Sequence, residues 1–229
     1  MAQLGLPLFE KKKRGGARPG AGRKRKAGAL RNTPHRSRSK HRKSNPVHVT
    51  LRSKFGLLRR QRVARVVLGA LRDSNADAFR IAHYSVQHNH LHLIVEAECD
   101  DTLSTGMRGL MVRVAKRLNR LLSRRGRFWA DRWHGRELAS PREVRNALVY
   151  VLHNHKKHDH RHVVAALDPL SSAASFDGFA EGRPPNVCSV GPPCAAAPQT
   201  WLLRVGWRRH GLIRRTETPK RVAHDRRWN

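Results

Sequence analysis

His90-Leu91-His92 sets two imidazoles two residues apart, and Tyr150-x-x-x-Asn154 sets a phenol and a carboxamide four residues apart. The first spacing matters on a strand, where side chains alternate. His90 and His92 then share one face while Leu91, Leu93 and Val95 take the other. Two imidazoles so related reach one ion jointly, and imidazole accepts Mg2+, Mn2+ or Zn2+ without softness alone choosing among them. The second spacing matters on a helix, where i and i+4 lie on one side and Lys157 falls on that side two turns on. A phenol, an amide and an ammonium on one face suit attack on a phosphate. The phenol supplies the nucleophile, the amide oxygen completes a metal shell and the ammonium offsets charge. Each part also has a plain structural alternative. The chain holds 15 histidines, enough for a chance H-x-H pair, and a helix tyrosine can simply pack on a sheet.

The flanking pattern supplies the elements these residues need. Residues 47–51 alternate and read as a strand; residues 57–71 carry Val63, Val66, Val67 and Leu71 at helical spacing. Residues 79–86 and 91–96 read as two further strands across the turn-prone residues 87–89. Met107, Leu110, Met111, Val114, Leu118 and Leu121 mark a long amphipathic helix, and residues 133–138 a short strand. Ser140-Pro141-Arg142-Glu143 has the form of a capping box with proline at the first helical position. The helix it opens is expected to run to about Lys157, with Val144, Ala147, Leu148, Val151 and Leu152 on one stripe. At about 100° per residue, Tyr150 lies roughly 120° from that stripe, on a flank of the helix. Tyr84, the other tyrosine, falls in a strand where packing is the natural role.

The predicted fold class is α+β. Strand, helix, strand, strand, helix, strand is a ferredoxin-like β-α-β-β-α-β order with an antiparallel sheet, to which a C-terminal tyrosine-bearing helix is added.

Charge points to the partner. With 48 Lys+Arg against 16 Asp+Glu, the formal net charge is +32 in 229 residues, and mean hydropathy is −0.67. Such an imbalance calls for a polyanion, and nucleic acid is the usual one. Residues 11–43 hold fifteen Lys/Arg and no acid. The first segment, 1–45, is therefore expected to be a disordered basic arm, with Arg18, Arg23, Lys24, Arg25 and Lys26 gripping phosphates or a minor groove. Its glycines do not form a phosphate loop, because the G-x-x-x-x-G-K-[ST] spacing is missing, so no nucleotide cofactor is expected. Residues 46–160 form the expected domain. Residues 161–229, rich in Ala, Pro and Gly and then in Trp and Arg, read as a linker and a low-complexity, disordered basic tail. Three cysteines fit no disulfide framework, no stretch reaches the length of a membrane span and no secretory leader opens the chain. A cytoplasmic, nucleoid-associated protein without a membrane partner is expected.

The string His88-Asn89-His90-Leu91-His92-Leu93-Ile94-Val95-Glu96, followed by Tyr150-x-x-x-Asn154 on a helix, resembles the HUH single-tyrosine transposases. Phe128-Trp129-x-x-Arg132-Trp133-His134 is similar to the corresponding run of the REP-associated tyrosine transposase branch. The resemblance spans about residues 46–160. It implies a ferredoxin-like domain that cuts and rejoins single-stranded DNA beside a hairpin, with His90, His92 and Asn154 as ligands of Mg2+ or Mn2+. Tyr150 would be the nucleophile of a 5′-phosphotyrosine intermediate that leaves a free 3′-OH. The resemblance admits monomers and homodimers whose tyrosine helix acts across subunits. Two positions depart from the usual pattern: His155 follows the asparagine, and His88 precedes Asn89, where proline is common. Lys157, Arg132 and, on the long helix, Lys116, Arg117 and Arg120 are the further basic residues expected to track DNA.

Other readings use the same residues. A replication initiator or relaxase shares the chemistry, but no helicase segment is present. A ferredoxin-like binding module, inactive or domesticated, would expose aromatics on its sheet. An HNH nuclease disperses its ligands over a ββ-metal-helix unit, unlike the adjacent His88-Asn89-His90. Five histidines within residues 153–162 suggest either zinc or a solvated helix end.

Overall fold

The structure, a computed structural model, describes residues 40–157, 167–182 and 194–219. Its regular elements are β1 (Val47–Arg52), α1 (Gln61–Arg72), β2 (Phe79–Val86), β3 (His90–Ala97), α2 (Asp100–Leu121), β4 (His134–Glu137) and α3 (Pro141–Leu152). The strands form one antiparallel sheet in the order β2-β3-β1-β4. Register across the centre pairs Thr50 with His92 and Arg52 with His90. Opposed residues of a ladder point to the same face, so this register sets what surrounds the two imidazoles.

Alternation divides β3 as its sequence predicts. Leu91, Leu93 and Val95 enter one core with Val47, Val49 and Leu51 of β1, Val63, Val67 and Leu71 of α1, and Met107, Leu110, Val114 and Leu118 of α2. The aromatics of the 128–133 run belong to this core too. Phe128, Trp129 and Trp133 are buried, and the Trp129 indole N–H donates to the Met111 carbonyl at 2.9 Å. Tyr84 is buried in the same cluster, the packing role expected of it.

The opposite face carries a second core. Ile94 and Ala82 meet Val144, Leu148, Val151 and Leu152 of α3. The start of α3 follows its capping signal: Ser140 Oγ accepts from the Glu143 N–H at 3.3 Å, and the Glu143 carboxylate takes the Ala139 N–H at 2.9 Å. Its end does not follow the expectation. The α-helix stops at Leu152, His153 turns (φ −111°, ψ 15°), and Asn154–Lys157 is a 3-10 turn. The apolar stripe ends with Leu152. The tighter turn then lets Lys156 donate to the carbonyls of Arg215 and Glu217.

The tail reading is corrected where the chain is described. Phe176, Phe179, Leu202, Leu203, Trp207 and Ile213 are buried and complete the second core. These segments lack a helical or strand period because they bury single large side chains from short turns, which periodicity cannot register. Polar ties reinforce them. Arg59 grips the Asp168 carboxylate through both terminal nitrogens, at 2.8 and 2.9 Å, and also donates to the Val86 carbonyl. The Glu96 carboxylate receives the backbone N–H groups of Gln199 and Thr200, each at 2.8 Å, and the Thr200 hydroxyl. Arg145 reaches Glu217 at 2.8 Å and the carbonyls of Gly211 and Leu212.

The end of the expected arm is likewise fixed. The two His41 ring nitrogens lie 2.8 Å from Glu137 and 3.0 Å from the Ala97 carbonyl, and the Arg42 N–H donates to Glu137. The arm residues Arg18, Arg23, Lys24, Arg25 and Lys26 lie outside the described residues.

Candidate active site

Four rings meet on the α3 face of the sheet. The His90 and His92 centroids are 4.7 Å apart, and the His92 and Tyr150 centroids are 4.9 Å apart at 87°, edge to face. His48 of β1 lies 5.5 Å from His92 and 5.4 Å from Tyr150. β3 and β1 place the imidazoles by alternation and register, and α3 lays its tyrosine-bearing flank over them. The expected meeting of strand and helix therefore occurs, with His48 as an unforeseen member.

Hydrogen bonds orient the pair. His90 Nδ1 lies 2.7 Å from Asn89 Oδ1, and His92 Nδ1 lies 3.2 Å from the Thr50 hydroxyl. The Asn89 oxygen can only accept, so His90 carries its proton on Nδ1 and presents the Nε2 lone pair. Thr50 holds the His92 ring through the same nitrogen. His92 is 4% exposed, while His90 and Tyr150 are half-buried, so one side of the cluster is open to a ligand.

Asn154 follows the break at His153. Its side chain is wholly buried, and neither amide atom has a hydrogen-bond partner among the described residues. The carboxamide is tied to the ring cluster through the chain at Tyr150 and by no hydrogen bond. A buried amide without partners is costly, by about 1–3 kcal/mol. Among the described residues no three His, Cys, Asp or Glu side chains are grouped to hold a metal. The donor chemistry nonetheless fits a hard divalent cation in part. Two oriented imidazoles and one unsatisfied amide oxygen are available, and Mg2+ commonly fills its shell with water and phosphate oxygens.

Charge at the site comes from an unexpected residue. Arg52 ends β1 directly across from His90, on the same face, is half-buried, and has no side-chain partner among the described residues. The expected basic residues are distributed otherwise. Arg132 is exposed just before β4. Lys116, Arg117 and Arg120 sit on α2, which packs against the Leu91 face, away from the imidazoles; Arg117 pairs with Asp73 at 2.8 Å. Lys157 closes the 3-10 turn, and its side chain is outside the described residues.

Two buried histidines nearby are held neutral. Burial lowers His83 to about 4, and His153, which packs edge-on against Phe179, to about 3. Burial likewise lowers the Lys156 ammonium from its ordinary value. His158, His160 and His162, the rest of the suggested zinc cluster, are outside the described residues.

His48, Thr50 and Arg52 carried a signal that single motifs hide. H-x-T-x-R alternates on β1, and pairing β1 beside β3 sets all three on the imidazole face.

No family model and no curated protein matches the chain. Among solved structures, a REP-associated tyrosine transposase bound to a REP hairpin is similar at a TM-score of 0.46 and 19% identity. The match covers 61% of this chain and 82% of that one. Among the described residues, no helix is long and apolar enough to cross a membrane. What the site can do rests on the residues of this chain.

Proposed function

We propose that this chain is a metal-dependent single-stranded DNA endonuclease and strand transferase of the tyrosine transposase kind, with Tyr150 as its nucleophile. The observation that carries the reading is the edge-to-face contact of Tyr150 with His92, on the face that also holds His90. A nucleophile and two candidate metal ligands from separate elements meet there. The strand order β2-β3-β1-β4 supports the ferredoxin-like arrangement for the sheet.

In this reading the Nε2 atoms of His90 and His92, with the Asn154 amide oxygen, would hold Mg2+ or Mn2+. When bound there, such an ion would supply Lewis-acid stabilisation of the charge on a non-bridging phosphate oxygen. Arg52 holds a second phosphate oxygen from β1. The Tyr150 phenol oxygen attacks phosphorus as its proton passes to solvent. The P–O3′ bond breaks and the 3′ oxygen leaves as a hydroxyl after taking up a proton. The product is a 5′-phosphotyrosine ester. A 3′-OH attacking that ester restores the phosphodiester and the phenol, so cleavage and rejoining need no nucleotide hydrolysis. The buried edge of His92, pinned by Thr50, keeps the ring from turning as the strand enters.

The test is a covalent complex. Full-length chain with a hairpin-bearing single-stranded oligonucleotide and Mg2+ or Mn2+ should give an adduct stable to denaturing electrophoresis. Its persistence in Tyr150→Phe would remove Tyr150 from the chemistry.

A further inference from the structure

The motif 201–215, WLLRVGWRRHGLIRR, plays no part in the chemistry above, and its two tryptophans have opposite fates. Trp207 is 1% exposed and packs on Phe176, inside the second core. Trp201 is 49% exposed. It opens α4 (Trp201–Arg204), whose start is fixed by Glu96 through Gln199 and Thr200.

The exposed indole is nonetheless well positioned. It lies against Gly206, where a Cβ would come within 2.7 Å of its ring, so glycine lets the ring rest on the backbone. The Arg209 guanidinium sits 4.8 Å from the ring centroid. Arg204 and Val205 are exposed beside it, Val205 at 51%. Neither Arg204 nor Arg209 has an ion-pair partner among the described residues, whereas the neighbouring Arg208 is held by Asp177 at 3.2 Å. Here the ring rests against Gly206 with one guanidinium, that of Arg209, over it, and half of its surface stays in water.

We propose that Trp201, with Arg204 and Arg209, is a second nucleic-acid contact, a stacking platform for an unpaired base whose flanking phosphates the two arginines neutralise. Every base has a π-face, so an indole beside a guanidinium takes single strands without reading sequence, and the arginines follow the backbone. A duplex keeps its bases stacked on one another and offers only phosphates. The ligand is therefore a single strand, taken as DNA on the reading proposed above. The platform adjoins the Glu96 end of β3 while His90 begins that strand, a separation of about 20 Å at ~3.3 Å per residue. A single strand would thus be held at a point remote from the ring cluster. The proposal does not need Tyr150 to be catalytic.

The test measures equilibrium binding of the full chain to a fluorescein-labelled 15-mer of dT and to a blunt duplex, without divalent metal. Trp201→Ala should weaken dT binding about 5- to 150-fold, the loss of one stacked base, and leave the duplex unchanged. Trp201→Phe should retain most of the affinity. Should Trp201→Ala fail to fold by circular dichroism, Arg204→Gln with Arg209→Gln reads the same surface. Losing two phosphate contacts should flatten the salt dependence of dT binding by about 1.4 in slope. Equal dT affinity for wild type and Trp201→Ala, an equal loss on duplex, or an unaltered slope would overturn the platform. Absence of a covalent adduct would bear only on Tyr150.

Discussion

The ring of Tyr150 stands edge-on to His92, with centroids 4.9 Å apart and planes at 87°. A helix flank and a central strand meet at this pair, and the predictions about chemistry follow from it.

Tyr150→Phe keeps the ring that packs on His92 and His48 and removes only the hydroxyl. Thermal stability should stay within about 1 kcal/mol of wild type, as for a half-exposed polar deletion. Adduct formation on hairpin-bearing single-stranded DNA should vanish. A destabilised variant would show that the hydroxyl serves the fold.

Metal affinity can be read without activity. Mg2+ or Mn2+ at 100 times its dissociation constant should stabilise the chain by about 2.7 kcal/mol, or roughly 5–10 °C in melting temperature for this size. His90→Ala should abolish that shift and spare most DNA binding, since His90 is half-buried and removable. An identical metal-induced shift in the variant would exclude His90 as a ligand.

Asn154 separates structural from functional burial. Its amide makes no hydrogen bond among the described residues, so Asn154→Ala relieves the cost of an unpaired buried group while leaving a cavity, and stability should fall by less than about 1 kcal/mol. Adduct yield should fall at least about tenfold. A large fall in melting temperature with unchanged cleavage would assign the amide to the core.

His83 gives the fold a pH dependence. Burial lowers it to about 4 from an ordinary 6.5, and Asp177 opposes this weakly. The unfolded chain therefore binds the proton first. The stability due to neutral His83 is complete above about 6.5 and is lost as pH falls towards 4, up to roughly 3 kcal/mol. Denaturant melts at pH 7 and pH 4.5 should differ less in His83→Gln than in wild type. An equal difference would place the dependence on other groups.

Trp207 tests whether the C-terminal segments are part of the fold. It is 1% exposed, and Gly178 lies so close that a Cβ there would sit 2.4 Å from its ring. Trp207→Ala should cost about 3–5 kcal/mol, lowering the melting temperature by roughly 6–20 °C. A shift under 2 °C would return these segments to the status of a tail.

The residues proposed for the chemistry were legible because they follow short rules. Alternation put His90 and His92 on one face and Leu91, Leu93 and Val95 on the other. Helical spacing put Tyr150 on a flank, and a capping box marked the start of its helix. These are properties of one element and its neighbours in the chain, so the sequence alone determines them. Tertiary structure decided the rest. His48 and Arg52 join the imidazoles only because β1 pairs beside β3 in a particular register, which no single segment encodes. Asn154 stands past the end of α3 because the helix stops at Leu152 and a 3-10 turn follows, in which Lys156 reaches the carbonyls of Arg215 and Glu217, more than fifty residues away in sequence. Trp207 and Phe179 are buried without any period because one large side chain in a turn finds its partners across the fold. Local pattern reports which way a side chain leaves its own element; only packing decides what waits there.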